Sequence, residues 1–187
     1  MKHCRRMLAA TLALILIAPS ALAADVWSEL ARPGAIVLFR HATAPGVGDP
    51  PGFKLEDCAT QRNLDDRGRA EARRLGEQFR SRNIQVGAVL SSQWCRTRET
   101  ARLAFGSQMR DEPAFNSFFQ QSTELRDAQT AQAKMVLARW RGTGALVVVT
   151  HQVNITALTG VGAASAEGVV VRLAADGTLQ VVATLEP

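Results

Sequence analysis

Two histidines, His41 and His151, occupy equivalent places in the sequence. One residue separates each of them from the end of a run of apolar residues. Both runs, 35–39 and 145–149, have the length and the unbroken apolar character of a buried strand. A neutral imidazole can act as a nucleophile, a general base or a metal ligand. Two imidazoles at matching strand ends indicate one shared site, and two unrelated loop histidines are the alternative that position alone leaves open.

Arginine accompanies these strand ends. Arg40 directly precedes His41, and Arg96 lies soon after a third apolar run, 86–90, which leads into Ser91-Ser92. A guanidinium carries a planar fork of donors that fits phosphate or carboxylate. A metal held by the two histidines is disfavoured, because the adjacent arginines repel a cation. We therefore expect an anion site that uses no metal and no other cofactor.

The elements that must position these groups alternate between strand and helix. Apolar strands without polar alternation, separated by helices, are typical of a parallel sheet that is covered on both faces. The predicted fold class is α/β, a three-layer sandwich with a mostly parallel central sheet and helices on both faces. In such sheets ligands bind beyond the carboxyl ends of the strands, where the two histidines and Ser91-Ser92 stand. The predicted strands are 35–39, 86–90, 145–149, 169–173 and 179–184, and the predicted helices are 66–82, 96–105, 123–140 and 153–158.

Four segments of the chain resemble, in order, the signature segments of the histidine phosphatases, also called the phosphoglycerate mutase-like superfamily. Leu38–Thr43 is similar to the family's R-H-G signature, and Arg62–Ala72 to its Arg-x-Leu-x-x-x-Gly-x-x-x-Ala helix start. Ser91–Ala101 is similar to the S-S-x-x-x-R-A-x-x-T-A element, and Val148–His151 to the strand that delivers the second histidine. An R-H pair alone would carry no information, whereas four ordered blocks across 35–160 identify the chain as a member of the family.

The resemblance implies phosphoryl transfer through a phosphohistidine. His41 would attack phosphorus, while Arg40 and Arg96 would bind the phosphoryl oxygens by charge-assisted hydrogen bonds. His151 would add a further donor that stabilises the transition state. No metal is required, because the arginines supply the positive charge. The hydroxyl of Thr43 has two interpretations, a donor to the same phosphate or a loop cap.

The sequence departs from the family in the group that would protonate the leaving oxygen. Gln152 stands where the acid-phosphatase branch has an aspartate, and Ser117 where the mutase-like branch has a glutamate. Serine cannot act as a general acid near neutral pH, and Glu124, which lies nearby, also fits a capping role at a helix start. The general acid is therefore unassigned. Ala42 replaces the glycine of the first signature, which is a small change.

The first 23 residues have the layout of a secretory signal peptide. Three basic residues precede an apolar run, 7–18, and Ala21-Leu22-Ala23 is a small-x-small cleavage site. The apolar run is about 12 residues long, against about 20 for a membrane span, so no stable membrane anchor is expected after cleavage. We predict cleavage after Ala23, one histidine phosphatase-like domain over 24–187, and a periplasmic or secreted location.

Cleavage also changes the charge of the chain. The full sequence has a formal net charge of +5, and removal of three basic and no acidic side chains lowers it to +2. The high overall charge is partly a property of the export signal, so it is no evidence for nucleic-acid binding. The expected partner is a small phosphorylated molecule or phosphate.

Two cysteines, Cys58 and Cys95, remain after cleavage. An oxidising compartment would allow them to pair, and the bond would tie the loop that follows the first histidine to the residue that precedes Arg96. Two buried free cysteines are the alternative. We predict the disulfide.

The predicted function is an exported phosphatase that hydrolyses a phosphomonoester or a similar phosphorylated compound. The alternative is a catalytically weak or inactive module that binds phosphate or a phosphorylated ligand, and the missing acid favours it. The intact set of Arg40, His41, Arg96 and His151 favours the enzyme, because a binding module has little need for a nucleophile. Other chemistries lack their motifs: the sequence has no G-x-x-x-x-G-K-[S/T] loop and no G-x-S-x-G elbow.

Overall fold

The centre of the fold is a six-stranded sheet that the computed structural model, which describes residues 25–187, builds largely from the predicted apolar runs. The strands are β1 (Ile36–Arg40), β2 (Val86–Ser91), β3 (Arg110–Asp111), β4 (Ala145–Thr150), β5 (Gly168–Leu173) and β6 (Leu179–Leu185). They lie in the order β3-β2-β4-β1-β5-β6. β1, β2, β3 and β4 are parallel to one another, whereas β5 and β6 pair antiparallel. The prediction of a mostly parallel sheet is confirmed.

Helices cover both faces of this sheet. They are α1 (Val26–Leu30), α2 (Asp66–Ser81), α3 (Cys95–Phe105), α4 (Thr123–Ala138) and α5 (Gln152–Thr159), with short 3-10 helices at Cys58–Thr60 and Pro113–Phe115. On one face Leu30, Phe79 and Ala101 bring α1, α2 and α3 into one apolar cluster. On the other face Leu137 and Ile155 bring α4 and α5 into a second cluster. The structure is the predicted three-layer α/β sandwich.

Strand β1 shows why the strand sequences lack polar alternation. Val37 and Phe39 pack in the cluster beneath α2 and α3, whereas Ile36 and Leu38 pack in the cluster beneath α4 and α5. All four residues are at most 2% exposed. Burial of one such side chain stabilises the fold by about 1.5–3 kcal/mol, so a polar residue on either face of β1 would be costly.

A glycine in the second signature segment fixes how α2 approaches the first histidine. The carboxylate of Asp65 caps α2 by accepting a hydrogen bond of 2.7 Å from the backbone nitrogen of Gly68. A Cβ atom at position 68 would lie 2.0 Å from the carbonyl oxygen of Thr43. Because no side chain fits there, glycine allows the first turn of α2 to lie against the loop that follows His41.

Several boundaries differ from the prediction. β1, β2 and β4 each continue one residue beyond their apolar runs, because the polar residues Arg40, Ser91 and Thr150 still pair in the sheet. α4 ends at Ala138 rather than at 140. The sequence does not indicate α1 or β3, because elements of five and two residues show no periodic pattern.

The predicted signal peptide, residues 1–23, lies outside the described residues. Within residues 25–187, no helix combines the length and the apolar character that a membrane crossing requires. Export of the protein therefore stays a prediction.

Candidate active site

The site lies where β1, β2 and β4 end at one edge of the sheet. Arg40 of β1 is in register with Thr150 of β4, so the residues that follow them, His41 and His151, lie side by side. Their ring centroids are 5.6 Å apart in an edge-to-face arrangement. Both residues are buried, with 3% and 4% of their surface exposed. The parallel pairing thus brings together two histidines that are far apart in the chain.

His41 is held in the form that a nucleophile needs. Its Nδ1 lies 2.8 Å from the backbone carbonyl oxygen of Ala42. A carbonyl oxygen can only accept a hydrogen bond, so Nδ1 carries the proton and Nε2 has the free lone pair. Burial, reinforced by the positive charge of Arg96, lowers the pKa of His41 to about 3. The imidazole is therefore neutral near pH 7.

His151 is oriented from the neighbouring strand end. Its Nε2 lies 2.8 Å from the Oγ of Ser92, the residue that follows β2. Its ring packs edge-on against the indole of Trp94, with 5.3 Å between centroids. Burial, together with His41 and Arg96, lowers the pKa of His151 well below its ordinary value. His151 is thus a second neutral imidazole with a fixed direction.

Three arginines bring positive charge to the histidines. Arg40 donates from Nη1 to the carbonyl of Ala163 at 3.1 Å, and Arg62 donates from Nε to the carbonyl of Gly48 at 2.7 Å. Within the described residues, the Nε atoms of Arg40 and Arg96 are enclosed without a hydrogen-bond partner. Burial lowers the pKa of all three guanidinium groups, yet an arginine keeps its charge in proteins. Buried positive charge with unused donors favours the binding of an anion.

One carboxylate, that of Asp49, lies inside this arginine cluster. Its Oδ1 accepts from Nη1 of Arg96 at 2.7 Å and its Oδ2 from Nη2 at 3.1 Å. Nε1 of Trp94 and the backbone nitrogen of Arg62 also donate to it, at 3.0 Å and 3.1 Å. Burial raises the pKa of Asp49, but the hydrogen bonds and the charge of Arg96 outweigh burial and lower the pKa below its ordinary value. An ionised carboxylate therefore occupies the terminal nitrogens of the arginine that is predicted to bind phosphate.

No side chain is placed as an obvious general acid. Glu124 is exposed on the first turn of α4 and does not line the cavity between the histidines and the arginines, which fits the capping interpretation. Ser117 and Gln152 do line the cavity. Among the described residues, the carboxylates that line it belong to Asp49 and Asp127, and Asp127 is an exposed residue of α4. The part of the chain that the structure describes also contains no group of three His, Cys, Asp or Glu side chains that could hold a metal.

Thr43 serves the loop rather than the cavity. Its hydroxyl donates to Oε1 of Glu71 at 3.1 Å, and its backbone nitrogen donates to Oε2 at 2.9 Å. Of the two interpretations of Thr43, the structure supports the loop cap.

The four predicted site residues line one cavity of about 810 Å³. Segments 46–53 and 117–121 form part of its walls and contribute aromatic side chains such as Phe53 and Phe119. Small-molecule sites commonly have volumes of about 300–1,000 Å³. A phosphoryl group at the arginines would leave room for the rest of an organic molecule.

The structure contains the disulfide between Cys58 and Cys95, whose Cα atoms are 5.6 Å apart. Cys95 is the first residue of α3 and directly precedes Arg96. The backbone nitrogen of Cys95 also donates to Oε1 of Gln61 at 3.0 Å. The bond therefore joins the segment that follows Asp49 to the start of the helix that carries Arg96.

Four further residues contribute to the site, although the sequence assigned none of them a role and only Ser92 lies at a predicted ligand-binding strand end: Asp49, Arg62, Ser92 and Trp94. Three of them lie inside the signature-like blocks. Arg62 is the first residue of its block, and that position could have indicated a role in the site. Asp49 lies in a loop rich in glycine and proline and belongs to no motif. Its role depends on a contact across the fold that no local pattern shows.

Comparison with known proteins agrees with this geometry. The family model described as the histidine phosphatase superfamily (branch 1) matches residues 36–117. None of the curated proteins matches the chain. The matched segment contains the first three signature-like blocks, and His151 lies beyond it.

Three solved structures share the fold at low sequence identity. A candidate phosphohistidine phosphatase SixA of Agrobacterium tumefaciens is 19% identical with a TM-score of 0.55, and the match covers 83% of this chain and 99% of that chain. The protein histidine phosphatase SixA in complex with tungstate is 14% identical, with a TM-score of 0.58 and coverage of 82% and 97%. Phosphoserine phosphatase of Entamoeba histolytica in complex with 3-phosphoglyceric acid is 12% identical, with a TM-score of 0.58 and coverage of 82% and 97%. The solved structures show that this chain has the histidine phosphatase fold, and residues 36–117 are similar in sequence to that superfamily.

Proposed function

We propose that this protein is an exported phosphatase that hydrolyses a phosphorylated compound through a phosphohistidine formed on His41. The observation that carries the proposal is the buried, neutral imidazole of His41, whose Nε2 keeps a free lone pair beside the buried Arg96 and the half-buried Arg40. A pocket that only bound anions would gain more from a protonated histidine, which donates from both nitrogens. The neutral form suits a nucleophile.

Each residue of the site has a place in a two-step reaction. In the first step, Nε2 of His41 donates its lone pair to phosphorus, and the bond to the leaving group breaks with its electron pair. Arg40 and Arg96 bind the phosphoryl oxygens, and His151, oriented by Ser92, adds a polar group beside them. In the second step, water attacks phosphorus, the P–N bond breaks and its electrons return to Nε2. Inorganic phosphate leaves, and the proton of the water passes to solvent.

The lack of an evident acid narrows the substrates. Asp49 is held as a carboxylate by Arg96, so it is not poised to protonate a poor leaving group. Leaving groups of low pKa depart without an acid, which favours a phosphohistidine or an acyl phosphate over a simple alkyl ester. The fold neighbours named SixA are a protein histidine phosphatase and a candidate phosphohistidine phosphatase, which agrees with this class.

Export is the second part of the proposal. The disulfide between Cys58 and Cys95 supports it, because such bonds persist in oxidising compartments. We expect the mature chain to begin at Ala24 and to be released from cells by osmotic shock. N-terminal sequencing that finds Met1 on a cytoplasmic form would contradict export without affecting the proposed chemistry.

A binding module is the second candidate function. The contact between Arg96 and Asp49 favours it, because an internal carboxylate already occupies the terminal nitrogens of Arg96. Under this alternative the pocket would hold phosphate reversibly, and His41 would never become phosphorylated.

A panel of phosphorylated compounds decides between the two functions. Phosphate release is measured from phosphohistidine peptides, acyl phosphates and phosphomonoesters across acidic to mildly alkaline pH, with His41→Ala as the blank. We expect release by the wild-type protein that exceeds the blank, with the greatest rates for leaving groups of low pKa. Binding of phosphate without release of phosphate above the blank from any compound would favour the binding module.

A further inference from the structure

The segment 44–53 covers the residue that a phosphoryl group must reach. The side chain of Arg96 is only 3% exposed, and its Nε atom is enclosed without a partner. Its two terminal nitrogens are occupied by the carboxylate oxygens of Asp49, which is itself 8% exposed. A ligand that enters the cavity therefore finds the donors of Arg96 already used or covered.

The carboxylate of Asp49 occupies this position as a ligand would. Carboxylate and phosphate bind a guanidinium through the same fork of donors. The other groups that donate to Asp49, Nε1 of Trp94 and the backbone nitrogen of Arg62, belong to residues that line the same cavity. Asp49 thus satisfies donors that an incoming anion would otherwise use.

The charges of the site favour an exchange of Asp49 for a dianion. Arg40, Arg62 and Arg96 are positive, whereas His41 and His151 are neutral. While the carboxylate stays in place, a phosphoryl dianion would meet a like charge at close range. After the carboxylate has left, the dianion faces all three arginines.

The backbone around Asp49 is suited to such a movement. Gly48 and Gly52 flank it with φ values of +70° and +75°, conformations that glycine adopts without steric cost. Val47 is 87% exposed, so it does not anchor the segment in an apolar core. No residue of the segment pairs in the sheet, so its movement would leave the strands in place. Arg62, which donates to the carbonyls of Ala44 and Gly48, and the disulfide at Cys58 bound the part that would have to move.

We propose that Asp49 is a specificity-determining residue, an intramolecular competitor that a phosphoryl group must displace from Arg96. The inference rests on the proposed function only in placing the phosphoryl group at Arg96. To displace Asp49, a ligand must bind the arginines more strongly than one carboxylate does, through more negative charge and more oxygens. A tetrahedral dianion with several oxygens meets this requirement, and carboxylates or other monoanions do not, so the pocket selects dianionic phosphoryl groups.

Two tetrahedral oxyanions of similar size test the proposal: tungstate, which is doubly charged, and perrhenate, which is singly charged. Their binding is measured by isothermal titration calorimetry at mildly alkaline pH to the wild type, Asp49→Asn and Asp111→Asn. Asp111 is a matched control, because it holds Arg98 of the same helix through two hydrogen bonds, at 2.8 Å and 2.6 Å, outside the cavity.

We expect Asp49→Asn to bind tungstate about tenfold more tightly than the wild type, or better, and to bind perrhenate where the wild type does not. Asp111→Asn should match the wild type. Unchanged or weaker binding of tungstate by Asp49→Asn would overturn the proposal, because Asp49 would then serve to orient Arg96. If tungstate bound none of the three proteins, both this proposal and the proposed function would fail. If Asp49→Asn gained affinity but no substrate released phosphate, only the proposed catalysis would fail.

A second measurement uses the protein without any change at Asp49. Because Nε1 of Trp94 donates to Asp49, displacement of the carboxylate must alter the surroundings of that indole. We expect saturating tungstate to change the fluorescence of the wild type, and this change to be missing in Trp94→Phe. A bound state whose fluorescence change does not depend on Trp94 would contradict the displacement, even if Asp49→Asn failed to fold.

Discussion

Two arginines of helix α3 form bidentate pairs with aspartates, one through Nη1 and Nη2 and the other through Nε and Nη2, in different surroundings. Arg96 and Arg98 each hold an aspartate, Asp49 and Asp111 respectively, through two hydrogen bonds. The first pair is 3% and 8% exposed, and the second pair is 31% and 36% exposed. The second pair joins α3 to the edge strand β3, whereas the first joins α3 to a loop over the cavity. We therefore expect burial and position, rather than the pair itself, to decide which of the two ion pairs has a function.

The physical reason lies in solvation. An exposed ion pair contributes about 0–1 kcal/mol, because water solvates the separated charges almost as well. A buried pair loses that solvation, so its partners depend on each other or on a replacement ligand. Arg96 therefore depends on Asp49 or on an anion that replaces it, while Arg98 can exchange its aspartate for water.

Loss of the disulfide has the largest expected effect, and it should affect the site around the Arg96–Asp49 pair rather than the Arg98–Asp111 pair. The bond between Cys58 and Cys95 closes a loop with a sequence separation of 37 residues. Its removal in the double variant Cys58→Ser, Cys95→Ser should destabilise the fold by about 4 kcal/mol on the chain-entropy model. Urea unfolding measures the loss. Tungstate binding should weaken as well, because the start of α3, which presents Arg96, is held less firmly. Full stability and full affinity of the variant would contradict the proposed role of the bond.

Acidification should destabilise the fold through the buried imidazole of His41. Its pKa is about 3 in the folded protein, below the ordinary value. Between these two pKa values the imidazole is protonated in the unfolded chain and neutral in the folded chain. Stability should fall as the pH drops from about 6.5 towards 3, by about 1 kcal/mol per pH unit from this residue. Urea unfolding at several pH values, compared with His41→Asn, isolates the contribution. Identical pH dependence in the two proteins would show that His41 is not held neutral by burial.

Removal of the arginines tests which pair binds the anion. Arg96→Ala should weaken tungstate binding by about 10- to 100-fold, because a hydrogen bond to a charged group contributes about 1.5–3 kcal/mol. Arg98→Ala should leave the affinity unchanged, since its pair lies outside the cavity. Calorimetric titration of both variants provides the measurement. Equal effects of the two substitutions would remove the distinction between the pairs.

The sequence predicts where Arg96 lies, but it does not predict that Asp49 is the partner of Arg96. Apolar runs that need burial on both faces predict β1, β2 and β4, and parallel pairing then places His41 and His151 at one edge of the sheet. The helix that carries Arg96 follows from the local pattern of residues 96–105, whereas the role of Arg96 is implied by the resemblance of Ser91–Ala101 to the family's element. These predictions use apolar runs and periodicity, which residues close together in the sequence reveal.

The partner of Arg96 could not be predicted in the same way. Asp49 reaches Arg96 across 47 positions of sequence, from a loop without periodic pattern. Nothing local distinguishes Asp49, which is buried on Arg96, from Asp111, which is exposed on Arg98. The short helix α1 and strand β3 were missed because packing against neighbouring elements, rather than their own pattern, stabilises them.

The smallest expected effect is the stability cost of removing each aspartate. Loss of one partner from a buried pair costs about 3–5 kcal/mol when the other charge stays buried. If segment 44–53 opens as proposed, water reaches Arg96, and Asp49→Asn should cost less than that buried-pair magnitude. Asp111→Asn should cost less than about 1 kcal/mol. Thermal and urea unfolding compare the two variants, and a loss of the full buried-pair magnitude in Asp49→Asn would show that the segment is fixed.

The most direct test of the account is the covalent state of His41 during turnover. The protein is mixed with radiolabelled phosphoramidate, a small donor with a good leaving group, quenched in alkali and digested, and the labelled peptide is identified by mass spectrometry. We predict a phosphohistidine on His41 that forms within the time of one turnover, decays in water, and is missing from His41→Ala. Tungstate-sensitive release of phosphate without label on His41, or label on another residue, would contradict the proposed role of His41 as the nucleophile.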